Sequence, residues 1–252
     1  IYASDPSEAM SLKGIPQKAA GLFKYGHEEI TETSHLHGGL SEYIILRPHT
    51  PIIKPLVDLP VQVLTSVNCA VATAAGAIRI AGNIEGANVV IAGAGMLGVI
   101  ACAMAKSKGA KNIIAIDIEN ERLKMSTSFG ATHTVHLDTI NSFQNFSNWL
   151  TYNKLQIDCF IDFSGEPTTI DILLKQLSVG GTAVFIGSTY PQQNITINAE
   201  TIVRNIWTIK GLHNYNESDL IEAVHFVESH YQEYPISTLV KGGFTLETCK
   251  LA

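Results

Sequence analysis

The sequence predicts an α/β chain built on a doubly wound parallel sheet. Three observations predict it. Short apolar runs alternate with helix-length segments between residues 61 and 235. The glycine-rich turn Gly93-Ala94-Gly95-Met96-Leu97-Gly98 follows one such run directly and opens a helix. An acid, Asp117, ends the next apolar run, 19 residues past Gly98. A GxGxxG triplet alone is a weak signal; the strand before it, the helix after it and the acid beyond give it its context.

Each element of that unit has a physical reason. The run from Ala87 to Ala92 reads as a parallel strand buried on both faces. Gly93 permits a tight turn, Gly95 lets backbone approach a pyrophosphate, and Gly98 lets helix and strand pack closely. Met96 and Leu97 complete the loop. The helix predicted from Val99 to about Lys106 begins with unpaired N–H groups and the positive end of its dipole, which suit phosphate. Strand Ile113–Ile116 delivers Asp117, with Ile118 behind it, to an adenosine ribose. A carboxylate there repels a 2′-phosphate, so NAD is expected over NADP. Arg122, on the next helix, is read either as stacking near adenine or as a solvated helix charge.

The rest of the chain is read in order. Residues 1–60 carry six prolines and five glycines between short apolar pieces, too little for an independent core. Gly39–Leu46 reads as a strand and Ile52-Ile53 as an extended piece. Residues 61–235 form the nucleotide-binding domain and 236–252 a return segment. Val61–Ile80 is helical and rich in small apolar residues. Glu119–Phe129 is a helix closed by Gly130, and Thr134–His136 a strand. Ile140–Leu150 is a helix whose Phe143, Phe146 and Trp149 stripe faces the core.

Strand Ile157–Phe163 ends at Ser164-Gly165, and helix Thr168–Leu177 follows. After a Gly180-Gly181 turn, strand Thr182–Ile186 ends at Gly187-Ser188. Strand Trp207–Gly211 ends at Leu212-His213, and Asn216 caps a helix to about Tyr231. Ligands of such sheets sit beyond the carboxyl ends of the strands. One crevice is therefore expected to gather the glycine loop, Asp117, Ser164-Gly165, Ile186-Gly187-Ser188 and Leu212-His213.

Composition bounds the partners. Of 252 residues, 46% are hydrophobic and 16% charged, which supports a sizeable core and argues against bulk disorder. A formal charge of −6 argues against nucleic acid or an anionic membrane as the main partner. No apolar stretch is expected to reach a membrane span of about 18 residues. No leader-like opening is read. Cys69, Cys102, Cys159 and Cys249 are widely spaced, with no CxxC, so a reducing, cytoplasmic setting is expected.

With these motifs in place, the chain resembles the medium-chain zinc-binding alcohol dehydrogenases, and within them the group associated with phosphonate catabolism. The likeness is carried by Gly14-Ile15-Pro16-Gln17-Lys18, Leu22-Phe23-Lys24-Tyr25-Gly26-His27-Glu28, Gly38-Gly39-Leu40-Ser41-Glu42-Tyr43, Asn68-Cys69-Ala70 and the glycine loop. It implies a Rossmann domain preceded by part of a GroES-like barrel. It implies NAD-dependent oxidation of an alcohol, or reduction of a carbonyl, with a catalytic zinc.

By the same resemblance Cys69 is a ligand of that zinc and Thr73 stands beside the nicotinamide, while the other two ligands would precede Ile1. Gly26-His27-Glu28 falls outside the ligand triplet. His27, His35 and His37 are read as loop or surface residues. Four structural-zinc cysteines of the family fall on Asp5, Glu8, Ser11 and Ala19, so a Cys₄ site is excluded. Strand Trp207–Gly211 is the implied edge for a homodimer or homotetramer. The closing helix and strand implied after Phe244-Thr245-Leu246-Glu247 would lie beyond Ala252. The chain is thus expected to be a fragment or a degenerate relative: an oxidoreductase, or an NAD-binding relative without chemistry.

Overall fold

The structure is a computed structural model that describes residues 2–39, 41–137, 140–245 and 247–248. The chain divides into two compact units, one of residues 1–72, 214–231 and 236–252, the other of residues 73–213 and 232–235. These limits differ from the sequence boundaries at 60 and 235. The first turns of the helix after residue 61, and the helix opened by Asn216, belong with the N-terminal residues.

In the first unit, β1 (Tyr2–Ala3) pairs antiparallel with β2 (Phe23–Lys24) around α1 (Ala9–Leu12) and a 3₁₀ turn at Pro16–Lys18. Ala3, Phe23 and Tyr25 form a small core. The Arg47 guanidinium lies 3.6 Å from the Phe23 ring centre, and the His37 ring meets the edge of the same ring at 5.4 Å. His37 is 5% exposed, which corrects its reading as a surface residue. The aromatic contact holds the imidazole inside, and among the described residues neither ring nitrogen has a hydrogen-bond partner.

The strand predicted at Gly39–Leu46 does not form over its described residues, 39 and 41–46, nor does an extended strand at Ile52-Ile53. Tyr43 and Ile45 are exposed. A strand needs a ladder partner, and among the described residues only the Ile45 N–H to Leu36 carbonyl bond is made there.

α2 (Val61–Ser66), a π-helical turn (Val67–Val71) and α3 (Ala72–Ala81) run on as a single helical stretch. At 21 residues with mean hydropathy 1.5, it corrects the expectation that no stretch reaches membrane-span length. Its composition is explained by burial: 67% of its apolar window is inside the protein.

The second unit carries the sheet. β3 (Asn88–Ala92), α4 (Met96–Ser107), β4 (Asn112–Asp117), α5 (Asn120–Ser128), β5 (His133–His136), α6 (Ile140–Tyr152), β6 (Ile157–Asp162), α7 (Pro167–Gln176), β7 (Leu177–Phe185), α8 (Ala199–Asn205) and β8 (Thr208–Gly211) follow in order. The six strands are all parallel, in the order β5-β4-β3-β6-β7-β8. The winding reverses between β3 and β6, which opens a crevice at their carboxyl ends. From Val89 to Ala92 every side chain of β3 is fully buried, because helices cover both faces of the sheet. On one face Val90, Ile114, Phe160 and Ala183 pack with Phe146 of α6 and Leu173 of α7. Phe143 and Trp149 lie against that cluster, as the aromatic stripe suggested.

Two elements differ from expectation. β7 begins at Leu177, with the glycine pair inside it: the register with β6 jumps from Ile157–Leu177 to Cys159–Thr182, so the turn is a bulge within the strand. α8 was not anticipated. It is capped by Asn198, whose side chain accepts the N–H groups of Glu200 and Thr201. α9 (Glu217–His230) returns the chain to the first unit. Asn216 caps it in a reciprocal box with Asp219.

Candidate functional site

The glycine loop sits at the winding reversal. Gly93 leaves β3 with φ of +91°, and a side chain there would lie 2.9 Å from the Ser164 backbone nitrogen at the end of β6. Gly98, in the first turn of α4, is tighter still: a Cβ would stand 1.8 Å from the Gly93 carbonyl oxygen. Those two glycines let helix, loop and neighbouring strand close together. Gly95 is different. It is the N-cap of α4, and among the described residues no side chain caps the helix there and, its chain neighbours aside, no atom lies within 4 Å of where its Cβ would project. The first N–H groups of α4 thus face open space, as a phosphate cradle requires.

Asp117 ends β4 beneath this loop. Its side chain is only 4% exposed. Oδ2 accepts the Ala94 N–H at 2.7 Å and Oδ1 the Glu119 N–H at 2.9 Å. The carboxylate therefore holds loop and strand end in register and has lone pairs left for ribose hydroxyls. The Arg122 guanidinium lies 3.8 Å from Oδ1 but is itself more than half exposed, so the pair contributes little by itself.

A cavity of about 730 Å³ opens over these groups. Of the residues singled out from sequence, Gly93, Gly95, Met96, Leu97, Gly98, Asp117, Ile118, Arg122 and Ser164 line it. Gly165, Ile186, Gly187, Ser188, Leu212 and His213 do not. Gly165 and Gly187 instead pack against each other: a Cβ on Gly165 would lie 2.6 Å from the Gly187 carbonyl oxygen, and one on Gly187 2.3 Å from the Gly165 nitrogen. Their glycine character thus serves the close approach of two strand ends. Ile186 is buried, and Ser188 and His213 are exposed.

Sequence reasoning missed the rest of the cavity. Leu137, Phe143 and Ile172 add to its apolar lining, and Glu166, Thr168 and Thr169 at the start of α7 supply polar groups. The Pro167 turn after Ser164-Gly165 was the available signal, since proline in the first turn starts a helix. α7 differs from α4 in one respect: the Glu166 carboxylate accepts the Thr168 N–H and caps its own helix. The cavity thus meets one bare helix N-terminus and one that is already capped.

Asp162, also missed, is fully buried at the end of β6. Its carboxylate accepts the Ser164 hydroxyl at 2.6 Å and the N–H groups of Ser164 and Gly165. Burial pushes its carboxyl above the ordinary range, against the pull of those bonds. It shapes the turn that presents Ser164 to the cavity.

Among the described residues the zinc expected from the resemblance finds no set of ligands. Cys69 lies exposed in the π-helical turn, and Cys102 and Cys159 are buried, each thiol pushed up to about 12 by that burial. Cys249 lies outside the described residues. Among the described residues no group of three or more His, Cys, Asp or Glu side chains could hold a metal. His27 and His35 are exposed in loops. At the aligned cysteine positions, carboxylates tie backbone instead. Glu8 caps α1 through the Met10 N–H and accepts the Ala20 N–H at 3.0 Å, twelve residues away. Asp5 accepts the N–H and hydroxyl of Ser7. Thr73, at the start of α3, is buried at 7% exposure.

Comparison with known proteins places this geometry. The family described as zinc-binding dehydrogenase matches residues 97–229. An L-threonine 3-dehydrogenase of Protochlamydia amoebophila is 26% identical over 207 residues, covering 81% of this chain and 58% of its own length. A probable D-xylulose reductase A of Emericella nidulans is 34% identical over 154 residues, 60% of this chain and 42% of its own. An alcohol dehydrogenase structure from Thermotoga maritima superposes with a TM-score of 0.86 at 25% identity, over 95% of this chain and 67% of that one. The chain spans about half the length of the curated relatives it matches.

Proposed function

The chain belongs to the zinc-binding dehydrogenases, and from that premise we propose that it serves an NAD-dependent, alcohol dehydrogenase-like oxidoreductase acting on a small alcohol or its carbonyl partner. The observation that carries this reading is the bare N-terminus of α4 at Gly95, set over the buried carboxylate of Asp117. The loop and α4 bind a diphosphate through backbone N–H groups. Asp117 orients the adenosine ribose and excludes a 2′-phosphate by charge. The aliphatic lining of Ile118, Leu137 and Ile172, together with Phe143, excludes water from the base.

When bound, the nicotinamide ring supplies the hydride acceptor or donor. Thr73 is assigned a place beside that ring, and Ser164 a place at the crevice wall. Zinc remains an expectation of the family for the whole enzyme. Cys69 is the residue of this chain assigned to it, and no step is derived through the metal. Pairing of two copies along the β8 edge and a cytoplasmic location belong to the same reading, as does the nearer likeness to the phosphonate-associated group.

Thermal unfolding with added dinucleotide tests the proposal. NADH at a hundredfold excess over its dissociation constant is expected to stabilise the protein by about 2.7 kcal/mol. NADPH at equal concentration is expected to stabilise it much less. Absence of protection by either dinucleotide would overturn the reading.

A further inference from the structure

The cavity has a polarity that fixes which way a dinucleotide lies in it. Its two helix N-termini are unequal: α4 is uncapped at Gly95, whereas α7 is capped by the Glu166 carboxylate. An anionic diphosphate therefore goes to α4 and is repelled from the α7 end. Asp117 takes the sugar next to it. Ile118, Phe143 and Ile172 give the same cavity an apolar lining, which suits a flat base. Glu166 and Thr169 line that cavity too.

We propose that Glu166 recognises the base, accepting a hydrogen bond from the exocyclic amino group of adenine, and so makes the site selective for an amino-purine over an oxo-purine dinucleotide. The proposal rests on the dinucleotide reading above. One Glu166 oxygen is committed to the Thr168 N–H at 3.3 Å, and the other makes no hydrogen bond among the described residues. Glu166 is exposed, so the oxygen can turn to a ligand. A carboxylate gains nothing over the electron-rich face of a ring and gains at its positive edge. Its favourable partner is therefore an in-plane N–H donor. Adenine offers one at its six-position; hypoxanthine has a carbonyl oxygen there and its donor at N1 instead, so a carboxylate aligned with the six-position meets an acceptor. The same complementarity lets acidic side chains accept from the exocyclic amine of cytosine.

Calorimetric titration of the full chain with NADH and with reduced nicotinamide hypoxanthine dinucleotide tests the assignment. The wild type is expected to bind NADH roughly tenfold more tightly, the size of a hydrogen bond to a charged group near solvent. In Glu166→Gln the side-chain amide can donate as well as accept, and its carbonyl oxygen still caps α7. The preference is expected to collapse to about twofold or less while the melting temperature holds.

Equal binding of both dinucleotides by the wild type would overturn the assignment and leave the proposed function standing. So would an undiminished preference in Glu166→Gln. Failure of both dinucleotides to bind the wild type would overturn the dinucleotide reading itself and this assignment with it.

Discussion

Gly98→Ala is expected to lower the stability of the sheet-bearing unit by about 3 kcal/mol or more, together with loss of NADH binding. The added methyl would stand 1.8 Å from the Gly93 carbonyl oxygen and 2.9 Å from its carbon, so backbone has to move. A flexible side chain could swing aside; a carbonyl fixed in the turn between β3 and α4 cannot. Equilibrium denaturation reads the effect as a fall in midpoint.

The matched variant Gly95→Ala separates folding from binding. No neighbour lies within 4 Å of its Cβ position, and Gly95 has an ordinary φ of −69°. Its cost to stability is expected to stay near 1 kcal/mol, the scale of a weakened helix cap. Its NADH affinity is expected to fall at least tenfold, because the methyl occupies the space over the first N–H groups of α4. A Gly95→Ala protein that binds NADH as tightly as the wild type would contradict the phosphate cradle. A Gly98→Ala protein with unchanged denaturation midpoint would contradict the packing account.

Asp117→Ala is expected to shift the preference between NADH and NADPH by tenfold or more. The substitution removes the acceptor from the ribose hydroxyls and the charge that opposes a 2′-phosphate, while the α4 N-terminus stays in place. NADH affinity therefore falls far more than NADPH affinity, as parallel titrations would read it. Stability falls as well, by about 1–3 kcal/mol, since the N–H groups of Ala94 and Glu119 lose their partner in a largely buried place. Equal losses for the two dinucleotides would refute the ribose assignment.

The glycine loop and the sheet around it were legible in sequence because local and long-range requirements coincide there. β3 is apolar throughout since both of its faces are buried, and Asp117 is placed by chain geometry alone. The aromatic stripe of α6 was legible for the same reason. What sequence did not disclose depends on distant partners. The partial alternation from Gly39 to Leu46 resembles a strand, but no ladder partner for it is found among the described residues. His37 carries a side chain typical of surfaces, and only the positions of Phe23 and its neighbours bury it. Gly165 and Gly187 each end a strand, and their close approach to each other appears only once the strands are assembled. Glu166 lay hidden in a helix start, since no local pattern says that α7 opens on the same cavity as α4.

The central claim is that backbone N–H groups at Gly95 and the first turn of α4 seat a diphosphate while Asp117 holds the adjoining sugar. A crystal structure with NADH bound tests it most directly. The diphosphate is expected within hydrogen-bond distance of those N–H groups, with the ribose hydroxyls donating to the remaining lone pairs of the Asp117 carboxylate. A cofactor bound away from that loop, or with its base at the α4 end, would contradict the account.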